Sequence, residues 1–463
     1  MANTYLTRTL GTPTNNKKWT FSAWIKKGYI GTNDSQIIFS AGGDGSNYAS
    51  IMTNYNPGKL QFYSSTGGNQ TGGSVRLNNV LRDVSGWYHI VISFDSTDST
   101  AADRIKFYIN GNRETSYDNA ENPNQNVSSF INSAIEHQIG KDSYRSNQYA
   151  GWFNGSVSHL HFIDGTAYDA SAFGETDTTT GEWKAKTSPS VTYGTNGFFI
   201  LKDSNLVTDQ SGRGNNFTVG GGTLTNLKDN PDNTFATLNP LTIGGTAATL
   251  GNVNNSIVGG ANNAEWYTAS TIAPSTGKWY VEIKNDFASG QAADLIVGFT
   301  TNLIDVKNEA FPGKEPHSLG LWSAGTDVGD IKIDNSVVSN QYTGDWGSAN
   351  KILGMALDLD NKKVYFSIDG VWQSSANPSA GSGGYDFSSS LTPFEDNYFI
   401  AIGSYSNSLT INKCSVNFGN GLFGTTAITT NSGNGYAGAE GASKFNYTVP
   451  TGYSALSTKG LNE

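Results

Sequence analysis

Histidine is the residue type in this chain best suited to metal binding or proton transfer near neutral pH. The five histidines are His89, His137, His159, His161 and His317. His159 and His161 stand two residues apart in "SHLHF", and alternate residues of a strand face the same side. Such a pair can bind a metal ion, but no cysteine or carboxylate pattern accompanies it. The sequence therefore favours a solvent-facing or intersubunit packing role for these two side chains.

The carboxylates do not form a pattern that is typical of catalysis. Glycoside hydrolysis needs two carboxylates about 5–9.5 Å apart across a cleft, which E-x-D-x-x-E on a strand would supply; that pattern is absent. Glu282 in "WYVEIK" is the acidic residue set squarely within an aromatic strand, and we interpret it as an outward-facing or ion-paired structural residue. There is also no H-E-x-x-H, no C-x-x-C and no G-x-S-x-G placed after a strand. The sequence predicts no enzyme.

Composition and charge exclude several other classes of protein. The 463 residues include 55 glycines and 12% aromatics but only 15% charged residues, with a net charge of −10 and a pI near 5.0. An acidic chain does not suit a phosphate-tracking nucleic-acid binder. No apolar run approaches the ~20 residues that span a bilayer, and "MANTYLTRTLG" lacks the pattern of a secretory signal. The single cysteine, Cys414, predicts a small buried apolar residue and synthesis in a reducing cytoplasm.

Short alternating strands separated by turn residues predict an all-β fold. Two segments, "KFYINGNR" and "KVYFSIDGVW", place Asn110-Gly111 and Asp369-Gly370 where a two-residue type I′ hairpin needs residues of positive φ. "SIDGVW" also matches part of the sialidase pattern S-x-D-x-G-x-x-W, but it does not repeat, and turn formation explains it better. Outside these hairpins the two halves do not align. We therefore predict two different β-sandwiches (jelly rolls) in tandem: a first domain at 1–217, a linker at 218–240, a second domain at 241–421 and a loop-rich C-terminal docking segment at 422–463. A phase slip at Asn412-Lys413 predicts a bulge or bend.

The motifs of the two halves resemble two known families. "FSAWIKK", "GWYHIVISFD", "IKFYINGNR", "HQIGKD" and "FNGSVSHLHFIDG" stand in the order of the concanavalin A-like sandwiches of the LamG type. "GKWYVEIK", "SLGLWSAG", "ALDLDNKKVYFSIDG" and "VNFG" resemble the SPRY fold. The resemblance implies sandwiches that present binding loops and, as a rule, no catalysis.

The phrases at the domain junctions resemble virion proteins of tailed phages, especially marine and cyanobacterial ones. These phrases are "DQSGRGNNFTVGG", "FATLNPL" and "VPTGYSALSTKGLN". The resemblance implies a tail fibre, head decoration or appendage component on the exterior of the virion, made in the host cytoplasm. It also implies contact with other virion proteins, a homo-oligomer and binding of host-surface carbohydrate, without nucleic acid or membrane insertion.

Candidate ligand-binding residues are aromatics in or next to polar loops, because aromatic rings stack on sugar faces beside Asn and Asp side chains. They are Tyr48, Tyr144, Tyr149 and Trp152 in the first domain and Trp322 and Trp346 in the second. Packing under a loop or at a subunit contact is the favoured alternative for each of them. The LamG-type resemblance also implies a structural Ca²⁺ at a loop rim, for which Asp44 and Asp95 are candidates; turn capping is the alternative role. No other cofactor is expected.

The leading functional hypothesis is a non-enzymatic virion protein that makes multivalent contacts. A polysaccharide-degrading glycoside hydrolase (depolymerase) associated with the tail is the first alternative, and a cleft pair of carboxylates would be its structural sign. A bacterial surface adhesin is the second alternative, and the lack of a secretion signal counts against it.

Overall fold

The structure is a computed structural model that describes residues 3–28, 35–54, 58–143, 151–202, 207–245, 248–259, 265–286, 295–308, 311–314, 316–323, 329–334, 336–339, 341–342, 344, 346–404, 413–429 and 443–461. It divides into two compact units, Met1–Asn226 with Asn230–Asp232 and Leu227–Asp229 with Asn233–Glu463. Helical structure in the described ranges consists of α1 (Leu303–Val306), α2 (Thr458–Leu461) and short 3₁₀ turns. None of these helices is long and apolar enough to cross a membrane.

The first unit is a sandwich of an eight-stranded and a six-stranded sheet. Its strands are β1 (Tyr5–Thr9), β2 (Lys18–Lys27), β3 (Gln36–Asp44), β4 (Asn47–Asn54), β5 (Lys59–Ser65), β6 (Ser74–Val80), β7 (Tyr88–Asp95), β8 (Ile105–Ile109), β9 (Asn112–Glu114), β10 (Tyr117–Glu121), β11 (Glu136–Ile139), β12 (Gly155–Asp164), β13 (Gly174–Thr176), β14 (Trp183–Ala185), β15 (Phe198–Ile200) and β16 (Thr218–Gly221).

The strand order is β10-β6-β5-β4-β3-β11-β1-β16 in one sheet and β15-β12-β2-β7-β8-β9 in the other. Phe21 of the smaller sheet stacks on Phe39 of the larger one at 5.5 Å between ring centroids. Both rings belong to one buried cluster that fills the space between the sheets. Because alternate residues of a strand face opposite sides, the remaining side chains lie on the outer faces.

The second unit is a sandwich of a seven-stranded and a nine-stranded sheet with a separate core. Its strands are β17 (Gly244–Gly245), β18 (Thr249–Gly251), β19 (Ser256–Val258), β20 (Trp266–Ala269), β21 (Lys278–Asn285), β22 (Leu295–Thr300), β23 (Ser318–Trp322), β24 (Ile331–Ile333), β25 (Ser336–Val338), β26 (Ile352–Asp358), β27 (Lys363–Ile368), β28 (Val371–Trp372), β29 (Tyr385–Asp386), β30 (Phe399–Ser404), β31 (Lys413–Asn417), β32 (Leu422–Phe423), β33 (Thr426–Ala427) and β34 (Ser454–Ala455).

One sheet has the order β17-β20-β30-β22-β23-β24-β25, and the other has β18-β19-β31-β21-β26-β27-β28 with β29 on β27 and β34 on β21. The strand order and the core residues therefore differ from those of the first unit. The predicted fold class, two different β-sandwiches in tandem, is confirmed. Cys414 lies in the second core with no exposed surface, as predicted.

Both predicted hairpin turns are present. Asn110 and Gly111 have φ of 47° and 84°, and Asp369 and Gly370 have φ of 48° and 80°. The flanking residues pair directly across each turn, Ile109 with Asn112 and Ile368 with Val371. Positive φ at both central positions is the mark of a type I′ turn, so the turn interpretation of "SIDGVW" is confirmed.

The boundary between the two units, at residues 226–233, falls within the segment predicted to link the domains, and the flanking parts of that segment are structured. Thr218–Gly221 forms β16 and pairs with β1 at the edge of the first unit, while Phe235 and Leu238 are fully buried in the second. The glycines that suggested a linker make room for an aromatic ring, since a Cβ on Gly220 would lie 2.3 Å from Tyr5 Cε2. The predicted bend at Asn412-Lys413 falls partly outside the described residues.

In each unit, a segment of the polypeptide outside the main strands packs over the outer face of one sheet. In the first unit, residues 166–195 pack Phe173 and Tyr193 over the outer side of the six-stranded sheet; we call this stretch the 166–195 segment. In the second unit, residues 443–461 pack Phe445, Val449 and Tyr453 over the outer side of the nine-stranded sheet, and this stretch is the 443–461 segment. The loop-rich C-terminal region thus includes a stretch that packs on the second sandwich.

Candidate functional site

A row of polar side chains crosses the outer face of the eight-stranded sheet in the first unit. Cross-strand pairing places Thr7, Gln138, Ser40, Ser50, Tyr63 and Ser74 in one line over six strands. Their strand neighbours point into the core. We call this line the polar row. It carries hydroxyl, amide and phenol groups but no charged side chain. Ser40, Ser50, Ser74 and Gln138 are buried, so Thr7 and Tyr63 are the members of the row that keep accessible surface.

Parts of the polar row are held by hydrogen bonds within the sheet. Ser74 Oγ accepts from Gln61 Nε2 at 3.2 Å and from Asn119 Nδ2 at 3.0 Å. Gln138 donates through Nε2 to Glu136 at 2.7 Å, but its Oε1 and the hydroxyl oxygen of Thr7 are buried without a partner in the described residues. Buried acceptors without partners are costly in a folded protein, so these two atoms mark places where an internal water molecule is favoured.

Two aromatic groups stand beside the polar row. Tyr48 stacks on Tyr63 with 5.1 Å between centroids; Tyr48 itself is only 7% exposed, whereas Tyr63 is half-buried. Tyr48 therefore supports Tyr63 and does not offer its own ring to a ligand. Tyr48 was predicted as a binding residue and Tyr63 was not, although strand alternation and cross-strand pairing place both on one face.

The second aromatic group consists of Tyr5, Trp152 and Lys141, all half-buried. The rings of Tyr5 and Trp152 are 5.8 Å apart, and Lys141 Nζ lies 4.6 Å and 5.3 Å from their centroids. Lys141 is also tied to the polar row, because its carbonyl accepts from Ser40 Oγ at 2.8 Å. Cation–π attraction holds the ammonium over the rings. We call these three residues the Tyr5–Trp152–Lys141 cluster.

Other predicted aromatics do not offer a binding face. Trp346 is 1% exposed and part of the second core, where its Nε1 donates to the Trp322 carbonyl at 3.2 Å. Trp322 is 6% exposed, and Lys332 Nζ lies 4.0 Å from its ring centroid. Both predictions are corrected: these rings are packed, because strand alternation turns Trp322 towards Phe311 and Lys332. Tyr144 and Tyr149 lie outside the described residues.

The calcium candidates cap turns. Asp44 Oδ1 accepts from the backbone N–H groups of Ser46 and Asn47 at 2.8 and 2.9 Å. Hydrogen bonds from Asn47 and Ser46 hold the pKa of Asp44 below its ordinary value. Asp95 forms an ion pair with Lys18 at 2.8 Å and accepts from Thr97 N at 3.0 Å. Within the described ranges no three His, Cys, Asp or Glu side chains are grouped to hold a metal ion.

His159 and His161 both contact the ring of Phe199, with 6.2 Å and 3.8 Å between ring centroids, but the strand that carries them is irregular. A bulge between Ser158 and His161 shifts the register of β12 against β2, and His159 takes a positive φ of 46°. His161 stacks on Phe199 at 3.8 Å and bonds Tyr193 Oη through Nδ1 at 2.9 Å, beneath the 166–195 segment. It is buried rather than solvent-facing. The bulge leaves the regular alternation of β12 interrupted at this point, and the predicted solvent-facing role is wrong for His161 because the 166–195 segment covers it.

Ser22 and His89 resemble a catalytic dyad, but their hydrogen bonds run the wrong way. Trp183 Nε1, which can only donate, donates to His89 Nδ1 at 3.0 Å. The neutral ring therefore carries its hydrogen on Nε2 and donates to Ser22 Oγ at 2.9 Å. Burial, reinforced by nearby His159, lowers the pKa of His89 to about 3. The ring cannot act as a base towards Ser22, and the pair is structural.

Glu282 is fully buried on the outer face of the nine-stranded sheet. Its carboxylate accepts from the backbone N–H groups of Asn446 and Tyr447, both at 2.8 Å, and from Asn417 Nδ2 and Tyr280 Oη, both at 3.3 Å. Burial raises its pKa to about 7, although these bonds oppose the rise. Glu282 lies on the outer face of its strand, as predicted, but it is not exposed to solvent because the 443–461 segment, which is remote in sequence, covers the strand.

Comparison with protein families finds one match. Residues 2–171 match the family described as the Concanavalin A-like lectin/glucanases superfamily, a Laminin G type. The matched residues include most strands of the first unit and the Tyr5–Trp152–Lys141 cluster. The match confirms the concanavalin A-like fold predicted for this unit. Comparison with curated proteins finds no match.

Several solved structures are similar to parts of this chain at low identity. The SPRY domain of human HERC1 is 10% identical, with 39% of this chain and 96% of that one covered and a TM-score of 0.29. A Bacteroides ovatus protein to which carbohydrate binding has been ascribed is 17% identical, with 48% and 58% covered and a TM-score of 0.33. Domain 4 of a GH43 extracellular arabinanase from Geobacillus stearothermophilus, in complex with arabinotriose, is 16% identical, with 33% and 63% covered and a TM-score of 0.24. This chain spans less than two thirds of the latter two.

Proposed function

We propose that the chain is a non-enzymatic glycan-binding protein whose first unit holds carbohydrate on the outer face of its eight-stranded sheet. The Tyr5–Trp152–Lys141 cluster carries this proposal. It offers partly exposed ring surface and an ammonium group held against it, in a unit that matches a lectin superfamily. Aromatic rings bind the apolar faces of sugars, and hydroxyl and amide groups bind their hydroxyls. No cofactor is needed.

The biological setting we propose is the exterior of a tailed-phage virion, as a tail fibre, head decoration or appendage component. The support is the resemblance of the junction phrases to virion proteins. Its partners are other virion proteins, further copies of itself and host-surface carbohydrate, and it is made in the host cytoplasm. Weak binding per copy is multiplied by the number of copies on a particle.

Binding of the purified chain to an array of bacterial surface glycans tests the proposed activity. Trp152→Ala is expected to weaken binding about tenfold, or ~1.4 kcal/mol, without lowering the melting temperature of the first unit. Phe394→Ala is the matched control, because Phe394 is an exposed aromatic of the second unit, 53% accessible. Equal binding by wild type and Trp152→Ala would contradict the proposed surface.

Two further measurements separate the alternatives. Incubation with the bound polysaccharide is expected to leave its chain length unchanged, and shortening would favour the depolymerase alternative. Gold-labelled antibody against the chain is expected to decorate intact phage particles. Label on the bacterial surface in uninfected cells would favour the adhesin.

A further inference from the structure

A groove of about 360 Å³ lies in the second unit, between the Asp369-Gly370 hairpin turn and the 443–461 segment. This volume is at the lower end of the ~300–1,000 Å³ range of small-molecule sites. One wall is the hairpin with Trp372, and the other is the stretch from Tyr447 to Thr451. Neither wall belongs to the surface described in the first unit.

The groove has a fixed shape, because both walls are anchored. The backbone N–H of Tyr447 is held by Glu282 at 2.8 Å, and the N–H of Thr451 donates to Ser379 Oγ at 2.9 Å. The Tyr447 ring lies directly over the hairpin turn, where a Cβ on Gly370 would come within 2.6 Å of its Cδ1 atom. Trp372 packs against Tyr280 with 6.3 Å between centroids. Walls held in this way lose little freedom when a ligand enters.

The polar groups that line the groove have unused hydrogen-bonding capacity. Asp369 Oδ1 accepts from Ile352 N at 3.0 Å and Oδ2 pairs with Lys351 at 2.6 Å. Each carboxylate oxygen has a second lone pair, so two acceptor positions remain. Ser379 uses its oxygen as an acceptor and keeps its hydroxyl hydrogen, and the hydroxyls of Thr448 and Thr451 form no bond within the described residues.

We propose that this groove is a second, independent saccharide site that binds a single neutral sugar residue. Two aromatic rings, Trp372 and Tyr447, supply apolar surface for one face of the sugar ring. One carboxylate and three hydroxyls supply acceptors and donors for its hydroxyl groups. Lys351 neutralises Asp369, so a cationic ligand gains little there. Val371, Val449 and Pro450 add apolar surface to the lining, and the hydroxyl groups stand among them. The ligand class rests on the proposed function, but the site does not depend on the first unit.

Saturation-transfer NMR of the full chain with galactose, glucose, mannose and N-acetylglucosamine tests the site. Trp372→Ala is expected to reduce the transfer to the bound sugar at least about fivefold, or ~1 kcal/mol. Because Trp372 also packs on Tyr280, Thr448→Val with Thr451→Val is a second variant that removes only exposed hydroxyls. It is expected to weaken binding with an unchanged melting temperature. Phe394→Ala is the control and is expected to bind as wild type does.

The two sites are separated by combining variants. If Trp152→Ala keeps sugar binding that Trp372→Ala removes, the groove is supported even where the first-unit surface fails. Sugar binding that both groove variants retain at wild-type strength would overturn the proposal. Absence of any monosaccharide signal in the wild type, or displacement of the sugar by an unrelated peptide at equal strength, would overturn it as well.

Discussion

In both sandwiches a segment of the chain covers the outer face of one sheet, but the first buries basic side chains beneath it and the second buries an acidic one. Under the 166–195 segment lie His89 and His161, bases that burial keeps neutral by lowering their pKa. Under the 443–461 segment lies Glu282, an acid whose pKa burial raises to about 7. Desolvation disfavours the charged form in both cases. The comparison teaches that one physical cause gives the two units opposite responses to pH.

The largest expected effect is a loss of folding stability of the first unit in mild acid. His89, His137 and His161 all have pKa values lowered from 6.5 by burial, to about 3 for His89 and about 4 for His137. Between these values and 6.5 the unfolded chain binds protons that the folded chain does not, so stability falls as pH falls. From neutral pH to pH ~5 the loss is about 2 kcal/mol for each of His89 and His137, and His161 adds to it in the same direction. Hydrogen exchange in residues 166–195 should accelerate accordingly.

His161→Phe is the control for this prediction, because it keeps a ring stacked on Phe199. It is expected to reduce the acid sensitivity of the first unit, because one of the three buried bases is removed. Protection of the 166–195 segment that stays constant from neutral pH to pH ~5 would break the comparison.

The second unit is expected to respond in the opposite direction. The pKa of Glu282 is raised from 4.5 to about 7, so the folded state holds a proton that the unfolded chain releases. The stability of the second unit is therefore greatest below pH 4.5 and falls as pH rises to about 7. The expected loss is on the order of 3 kcal/mol, at ~1.36 kcal/mol per pH unit. Tyr280 and Tyr447, the titratable groups that face it, stay neutral in this range because their pKa values are raised. Hydrogen exchange in residues 443–461 measures the effect.

Glu282→Gln should sharpen this result. An amide does not titrate, so the pH dependence of the 443–461 segment should vanish. The amide nitrogen also faces a backbone N–H donor, which costs about 1–3 kcal/mol at every pH. A slope that persists in this variant would assign the pH response to another group.

The smallest expected effect concerns the single hydrogen bond that sets the His89 tautomer. Trp183→Phe keeps an aromatic ring but removes the donor at 3.0 Å from His89 Nδ1. The buried acceptor is then left without a partner, and the first unit should lose about 1–2 kcal/mol. Thermal unfolding measures the loss, while the second unit serves as the internal control. No change in the first transition would show that water replaces the indole.

Local patterns predicted much of the fold. Asn110-Gly111 and Asp369-Gly370 specify their turns through two adjacent residues, and alternation along strands such as Lys18–Lys27 identifies the core face. Such features depend on near neighbours, so sequence alone is sufficient for them.

The site depends on contacts between residues far apart in the chain, which alternation does not report. Trp152 was predicted as a binding residue, but its partners Tyr5 and Lys141 were not, because β1 meets this region only through sheet pairing. Glu282 looked exposed since its cover comes from a stretch that begins with Ser443. Glycines in β16 looked like a linker, although their lack of side chains is what lets Tyr5 lie against them.

The carboxylate at Glu282 also sets an order of events during synthesis. Its backbone donor at Asn446 is 164 residues further along the chain. At ~5–20 residues per second, a ribosome needs roughly ten to thirty seconds to supply it. Until then the carboxylate and the outer surface of its strand remain exposed to solvent. All residues of the first sandwich have been synthesised by that time. During that interval the first sandwich can be complete, whereas the second sandwich still lacks the 443–461 segment that covers its outer sheet face.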